Sequence, residues 1–218
     1  MTEPLLSPRA ARTRSALLSA GMELMVDRPV DAIAIDEFVA SARVAKGSFF
    51  NHFKDKREYA NAIAREIRTE IEYWVGTINS GITDPLERLA GGMIAAAAYA
   101  LARPQRTVVL ARSFNGLSLG DHPINAGLLR DLRDAANQGQ IHIPSEQAGV
   151  LYWLGSCQTL MGGIVEGAAG HEAVEALLMQ MLELGLRGLG ADPAQIARAA
   201  GPPTVKGRFA SLEGAPRQ

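Results

Sequence analysis

The sequence predicts an all-α protein: a three-helix head of the helix-turn-helix kind at the N-terminus, followed by a larger helical body. Three observations carry that expectation. Apolar residues recur at three- and four-residue spacing along nearly the whole chain. Ser7-Pro8, Asp84-Pro85 and Asp192-Pro193 each place a capping side chain before a proline suited to a first helical turn. No stretch shows strong strand alternation, and no internal repeat is present.

The first helix starts at Ser7-Pro8, carries Leu17, Leu18, Gly21, Leu24 and Met25 on one face, and ends at Asp27-Arg28-Pro29. A short helix is expected from Ile35 to Ala42. A tight turn at Arg43-Val44 leads to another, from Ala45 to Asn51. Asp55 and Glu58 have the spacing of a capping box. From there Ala60, Ile63, Ala64, Ile67, Ile71, Trp74, Val75 and Ile78 form a stripe long enough for a helix of roughly 35 Å. An alanine-rich helix follows from Asp84-Pro85 to Ala102. Pro104, Gly116–Gly120 and Pro123 divide the next stretch. Leu129 and Leu132 mark a helix that ends at Gly139. Ser145 caps one running to about Ala168, and another runs from Glu172 to Leu189. Asp192-Pro193 opens a last short helix, to Gly201. Residues 202–218 carry proline, glycine and scattered charge, and are expected to be a disordered tail.

With 218 residues, 47% hydrophobic and 21% charged, the chain can bury a full core. Its net charge of −1 means that contact with a polyanion must come from a local patch. Cys157 is the single cysteine, which excludes an intramolecular disulfide and a cysteine-rich metal site and fits a reducing cytoplasm. The N-terminus lacks the apolar run of a signal peptide. Gln147 to Val165 runs without a charge for about the thickness of a bilayer. Its four glycines, its polar residues and the absence of a basic flank favour a helix buried at a protein interface.

The stretch VAKGSFFNHFKDKRE, residues 44–58, sets scarce aromatics beside a basic cluster. Of six phenylalanines, Phe38, Phe49, Phe50 and Phe53 fall within sixteen residues. A helix-turn-helix has few positions with which to make a core, and large aromatics fill it efficiently. Phe38, Phe49 and Phe53 are expected to close it, with Leu17, Leu24 and Ile35. The second short helix then presents Lys46, Ser48, Asn51 and His52. Lysine donates to guanine acceptors, asparagine can pair two-pronged with adenine, and Gly47 lets the backbone approach closely. From Arg43 to Arg57 five basic residues face one Asp, a local +4 on a chain of total −1. Arg9, Arg12 and Arg14 add a basic arm. This is the footprint of a phosphate-binding surface.

With Ala42, Val44, Gly47, Ser48, His52, Phe53 and Lys56 in place, residues 10–60 resemble the TetR family of transcriptional regulators. The chain departs from that pattern at four positions. Arg43 stands where the turn usually has glycine. Ala45 replaces a Ser or Thr cap, a loss of roughly 1 kcal/mol. Phe50 replaces a tyrosine, and Ala34 a threonine. The resemblance implies a DNA-binding domain over 1–54, with Lys46, Ser48 and Asn51 toward base edges, Gly47 allowing close backbone approach, and Arg43, His52, Lys54 and Lys56 toward phosphates. It implies a helical effector-binding and dimerisation domain over 55–201, a palindromic double-stranded operator as partner, and a repressor that releases DNA when a small, mostly apolar effector binds.

One helix-turn-helix offers few contacts and gains specificity by pairing across two half-sites, so a homodimer is expected. Ser156, Thr159, Gly163 and Gly167 on one helix, with Leu178, Met181, Leu182, Gly185 and Leu189 on the next, are candidates for its interface; the competing reading packs these stripes within one subunit. Trp74, Met93, Tyr99, Phe114, Trp153, Cys157 and Met161 are candidate effector contacts, although plain core is the stronger reading for most of them. Arg112, Asn115 and His122 are polar groups that could orient a ligand. A small all-α enzyme and a membrane-associated helical protein are the rival classes. No phosphate loop, zinc-binding pair or nucleophile elbow occurs, so neither cofactor nor metal is expected.

Overall fold

The computed structural model describes residues 7–113, 123–167 and 170–212. Among these residues there is no strand, and the α-helices are α1 (Pro8–Leu24), α2 (Ile35–Ser41), α3 (Lys46–Phe50), α4 (Lys56–Ile78), α5 (Pro85–Ala102), α6 (Pro104–Arg112), α7 (Ala126–Asn137), α8 (Glu146–Gly167), α9 (His171–Gly188), α10 (Pro193–Ala200) and α11 (Pro202–Leu212). Single 3-10 turns lie at Val30–Ala32 and Pro123–Asn125. The described residues within Met1–Ile67 and Val108–Asn115 form one compact unit, and those within Arg68–Thr107 and Gly116–Gln218 form another. The first unit thus extends past residue 54, where the sequence suggested a boundary, because Tyr59, Ile63 and Ile67 on α4 belong to its core.

In the first unit, Ser7 Oγ accepts from the Ala10 N–H at 3.3 Å and Pro8 fills the opening turn of α1. α2 begins at Ala34, which has no capping side chain. Glu37 Oε1 accepts the Ala34 N–H at 3.0 Å instead, while its other oxygen pairs with Arg28 at 2.7 Å. α2 closes through two reversed bonds, Arg43 N–H to Ala40 O at 3.1 Å and Val44 N–H to Val39 O at 3.0 Å. They place Arg43 at φ 54°, in the left-handed region. A residue with a Cβ pays about 1 kcal/mol there; Gly139 and Gly190 adopt positive φ at other turns without that cost. Asp55 Oδ1 accepts from the Glu58 N–H at 2.7 Å, and Glu58 Oε2 reaches back to the Lys54 N–H at 2.8 Å, starting α4. The core holds Leu17, Met25, Ile33, Phe38, Phe49 and Phe53. Met25 and Ile33 take the places expected for Leu24 and Ile35, which are half-buried. From the returning segment, Arg112 Nη1 donates to Val26 O at 2.6 Å and Met25 O at 3.3 Å, satisfying carbonyls at the end of α1.

The second unit is built around α5, against which α7, α8, α9, α10 and α11 pack. Asp84 Oδ1 caps α5 by accepting from Leu86 N–H at 2.8 Å and Glu87 N–H at 3.1 Å. The alanines of α5 let these neighbours come close, and Ala90, Ala95, Ala97 and Ala100 are fully buried. α8 is long and apolar enough to cross a membrane by length and composition. One of its sides, with Val150, Trp153, Leu154, Leu160 and Ile164, is buried within the unit.

The expectation of disorder from residue 202 is corrected. Residues 202–212 form α11, with Val205, Phe209 and Leu212 buried. Arg208 pins it: Nη1 donates to Glu87 O at 2.9 Å and Nη2 to Asn79 Oδ1 at 2.7 Å.

Candidate functional site

Tyr59 is the hub beneath α3. Its ring lies edge-on to Phe38 at 4.8 Å, Phe49 at 5.2 Å and Phe53 at 4.9 Å, and its hydroxyl donates to the Leu17 carbonyl. Burial raises the phenol far above its ordinary pKa, so it stays a neutral donor. Gly21 faces this ring with no room for a side chain. The phenylalanines were expected in this core and Tyr59 was not; a tyrosine six residues after Phe53, in the first turn of an amphipathic helix, was the available signal.

The second helix of the helix-turn-helix is shorter than the expected 45–51. α3 covers Lys46–Phe50, and Asn51 is its C-cap. Ala45 caps it without a side-chain bond, as its residue type dictates. Arg43, Lys46, Gly47, Phe50, Asn51 and Lys54 are exposed, and Ser48 and His52 half-buried. An added Cβ at Gly47 would meet nothing. Lys46 Nζ sits 2.9 Å from Asp36 Oδ1 on α2, so its ammonium is paired, yet both groups stay exposed to solvent. The His52 imidazole is held below its ordinary pKa, first by burial and then by the charge of Arg14. It is therefore neutral near pH 7 and can act only as a hydrogen-bonding group there. The Arg14 guanidinium lies 5.5 Å from the Phe53 ring centre, which ties the basic arm to the aromatic core.

Lys56 is the exception among the candidates. Its Nζ turns inward and donates to Asp31 O at 2.9 Å and Ile33 O at 3.1 Å. Its expected role toward phosphate is corrected to that of a clamp on the loop before α2.

Residues 17–63, which span α1 to the first turns of α4, match the family described as bacterial regulatory proteins, tetR family. These residues form a TetR-family domain. The transcriptional regulator AcuR of Cereibacter sphaeroides is 29% identical over 87 residues, 38% of each chain. The HTH-type transcriptional repressor DhaR of a Mycobacterium species is 29% identical over 82 residues, 36% of this chain and 41% of that one. The chain thus matches about two fifths of the length of these relatives. The crystal structure of RolR with resorcinol superposes with a TM-score of 0.57 at 20% identity, covering 88% of this chain and 94% of that one. This likeness shows that the two chains share a fold along most of their lengths.

The candidate effector contacts lie in the interior of the second unit. Trp74, Met93, Tyr99, Trp153, Cys157 and Met161 are all buried, and Phe114 falls outside the described residues, as do Asn115 and His122. Trp74 packs edge-on against Tyr99 at 5.6 Å, and Tyr99 Oη donates to Glu70 Oε2 at 2.7 Å. Glu70 also pairs with Arg106. Met93 and Trp153 meet beside Gly185, where an added Cβ would come within 3.1 Å of the indole. Burial pushes the Cys157 thiol up to about 12. Arg112 is committed to the α1 carbonyls. The buried Arg68, which the sequence analysis passed over, donates from Nη2 to Asn125 Oδ1 at 3.1 Å and Glu72 Oε1 at 3.2 Å. Among the described residues no group of three or more His, Cys, Asp or Glu could hold a metal ion.

Of the dimer candidates, Leu178, Leu182, Gly185 and Leu189 are buried within the unit, a correction in favour of the competing intrasubunit reading. Their stripe meets neighbouring helices of the same chain. Met181 and Ser156 are half-buried, and Ser156 Oγ donates to Tyr152 O at 2.9 Å. Thr159, Gly163 and Gly167 are exposed. Elsewhere on α8 and α9 three large apolar side chains that were not among the expected candidates are exposed: Leu184, at 64%, Leu151 and Tyr152. Tyr152 Oη donates to Leu184 O at 3.3 Å, tying α8 to α9 there.

Proposed function

We propose that the chain is a DNA-binding transcriptional repressor. It binds a palindromic operator as a dimer and lets go when a small, mostly apolar effector enters the C-terminal unit. The observation that carries this reading is the head itself, where a packed aromatic core supports an exposed α3 bearing Lys46, Gly47 and Asn51. Lys46, Ser48 and Asn51 address base edges; Arg43, Lys54 and His52 address phosphates, His52 as a neutral donor. Asp36 restrains the Lys46 ammonium near the groove edge. The DNA-binding head takes in residues 1–54 together with the part of α4 that completes its core, and the remainder binds effector and partner. The dimer forms through the exposed parts of α8 and α9: Leu151, Tyr152, Thr159, Gly163, Gly167 and Leu184. The protein acts in the cytoplasm, and nothing in this reading calls on catalysis or a membrane.

An effector can release DNA only by binding better to a dimer that holds its two heads at the wrong spacing. The deciding experiment is selection of DNA from a random pool by the full chain, followed by titration of the winner at several salt concentrations. Recovery of a palindrome, bound with an affinity that falls steeply as salt rises, supports the reading. Lys46→Ala or Asn51→Ala should relax preference at one position, at a cost of about 1–3 kcal/mol. Recovery of no sequence above background refutes it.

A further inference from the structure

The second unit buries a guanidinium that its own residues leave incompletely satisfied. Arg68, on α4, is 5% exposed. Its Nη2 has two acceptors, Asn125 Oδ1 at 3.1 Å and Glu72 Oε1 at 3.2 Å. Its buried Nε–H has none. A buried donor without a partner is rare in native proteins and calls for a reason. Nε and Nη2 share one edge of the planar group, the edge with which arginine grips a carboxylate by two parallel bonds.

Glu72 does not make that grip. It offers one oxygen to one nitrogen, at the long end of hydrogen-bond range. Its side chain is also 35% exposed, so it has a route out to water. Burial pushes the Glu72 carboxyl above its ordinary range, which weakens its hold as an anion. The nearby carboxylate of Asp131 is already paired with Arg88, and the Cys157 thiol from α8 stays protonated. Exchange of one carboxylate for another keeps the number of charges beside Arg68 constant, so it avoids the cost of burying an unpaired ion. The departing Glu72 also vacates volume along the guanidinium edge.

The geometry points to Arg68 as the anchor for the carboxylate of a small organic acid, which displaces Glu72 from Nη2 and takes up the idle Nε–H. This rests on the effector-responsive reading above and supplies the polar end of an otherwise apolar effector. Asn125 stays in place and fixes the plane of the guanidinium.

The test uses the full chain and the fluorescence of its two tryptophans, Trp74 and Trp153, both buried in this unit. Acetate, octanoate and benzoate are titrated, each against its own amide. At least one acid should bind about ten-fold more tightly than its amide, as expected for hydrogen bonds to a charged group. Arg68→Met should abolish that gap. Glu72→Gln, which removes the competing carboxylate and leaves Arg68 in place, should widen it, and this variant decides the matter should Arg68→Met fail to fold. Equal binding of every acid and its amide in both the wild-type chain and Glu72→Gln overturns the proposal, as does an acid preference that survives Arg68→Met. The titration needs no DNA. An acid preference in a chain that selects no operator therefore sinks the repressor reading and leaves the Arg68 site standing.

Discussion

Lys56 Nζ donates to the main-chain oxygen of Asp31 at 2.9 Å, across 25 residues of sequence, and to that of Ile33 at 3.1 Å. Two charge-assisted bonds of this kind should stabilise the head more than any exposed lysine can. Lys56→Met is expected to cost about 2 kcal/mol, and Lys54→Met, on an exposed side chain, less than about 0.5 kcal/mol. Urea unfolding of the two variants measures the difference; equal midpoints would show that the clamp carries no weight.

Gly21 and Gly47 make an opposed pair. Alanine at Gly21 would press into the Tyr59 and Ile63 side chains. Overpacking of this kind costs about 1–3 kcal/mol. Alanine at Gly47 meets open space and removes a flexible residue from a helix, so it should add about 0.5–1 kcal/mol of stability. If the proposed function holds, the same Gly47→Ala chain binds operator less well, because the methyl group stands where the DNA backbone or a base edge approaches. Thermal melts and an operator titration on the same samples separate the two effects.

Much of the helical plan could be read from the chain because it is local. Ser7, Asp84 and Asp192 announce helix starts within four residues, and the TetR pattern resides in one contiguous stretch. What escaped was long-range. The Leu178–Leu182–Gly185 stripe has the same spacing whether it packs on its own chain or on a partner, so periodicity could not choose between them. Lys56 looks like any other member of a basic cluster until Asp31 and Ile33 are placed beside it. Arg68 interrupts an apolar stripe, and its residue type does not distinguish a buried guanidinium from a solvated one. In α11 the Val205, Phe209 and Leu212 spacing was present but lay among Pro202, Pro203 and Gly207, which read as breakers.

Cys157 should be chemically silent in the folded protein. Burial holds its thiol at about 12, against an unfolded value near 9. The sign follows: this group's contribution to stability is complete below about pH 9 and is lost as pH rises toward 12. At pH 8 a thiol reagent should label the native chain at the rate of opening and the urea-unfolded chain at once. Fast labelling of the native chain would place the thiol at the surface.

The exposed Leu184 offers a separable test of assembly. Leu184→Asp should shift the chain toward monomer in light scattering at micromolar concentration while leaving its helicity unchanged. Leu182→Asp, at a buried site, should unfold the chain instead. A Leu184→Asp protein that remains fully dimeric moves the interface elsewhere.

α11 gives the last prediction. Phe209 is 2% exposed. Phe209→Ala should cost about 3–5 kcal/mol, and removal of residues 202–218 at least as much. A tail without structure would tolerate either change, so an unaltered melting temperature after truncation would show that α11 adds nothing to the second unit.

The returning segment that carries Arg112 has a practical consequence for chimeras. The carbonyls of Met25 and Val26 find their donor 86 or more positions downstream, so the head is not one exchangeable cassette. A transplant of residues 1–67 onto a foreign body would leave those oxygens stranded unless the recipient offers an equivalent cation. Swapping the downstream piece together with the head should rescue such a hybrid.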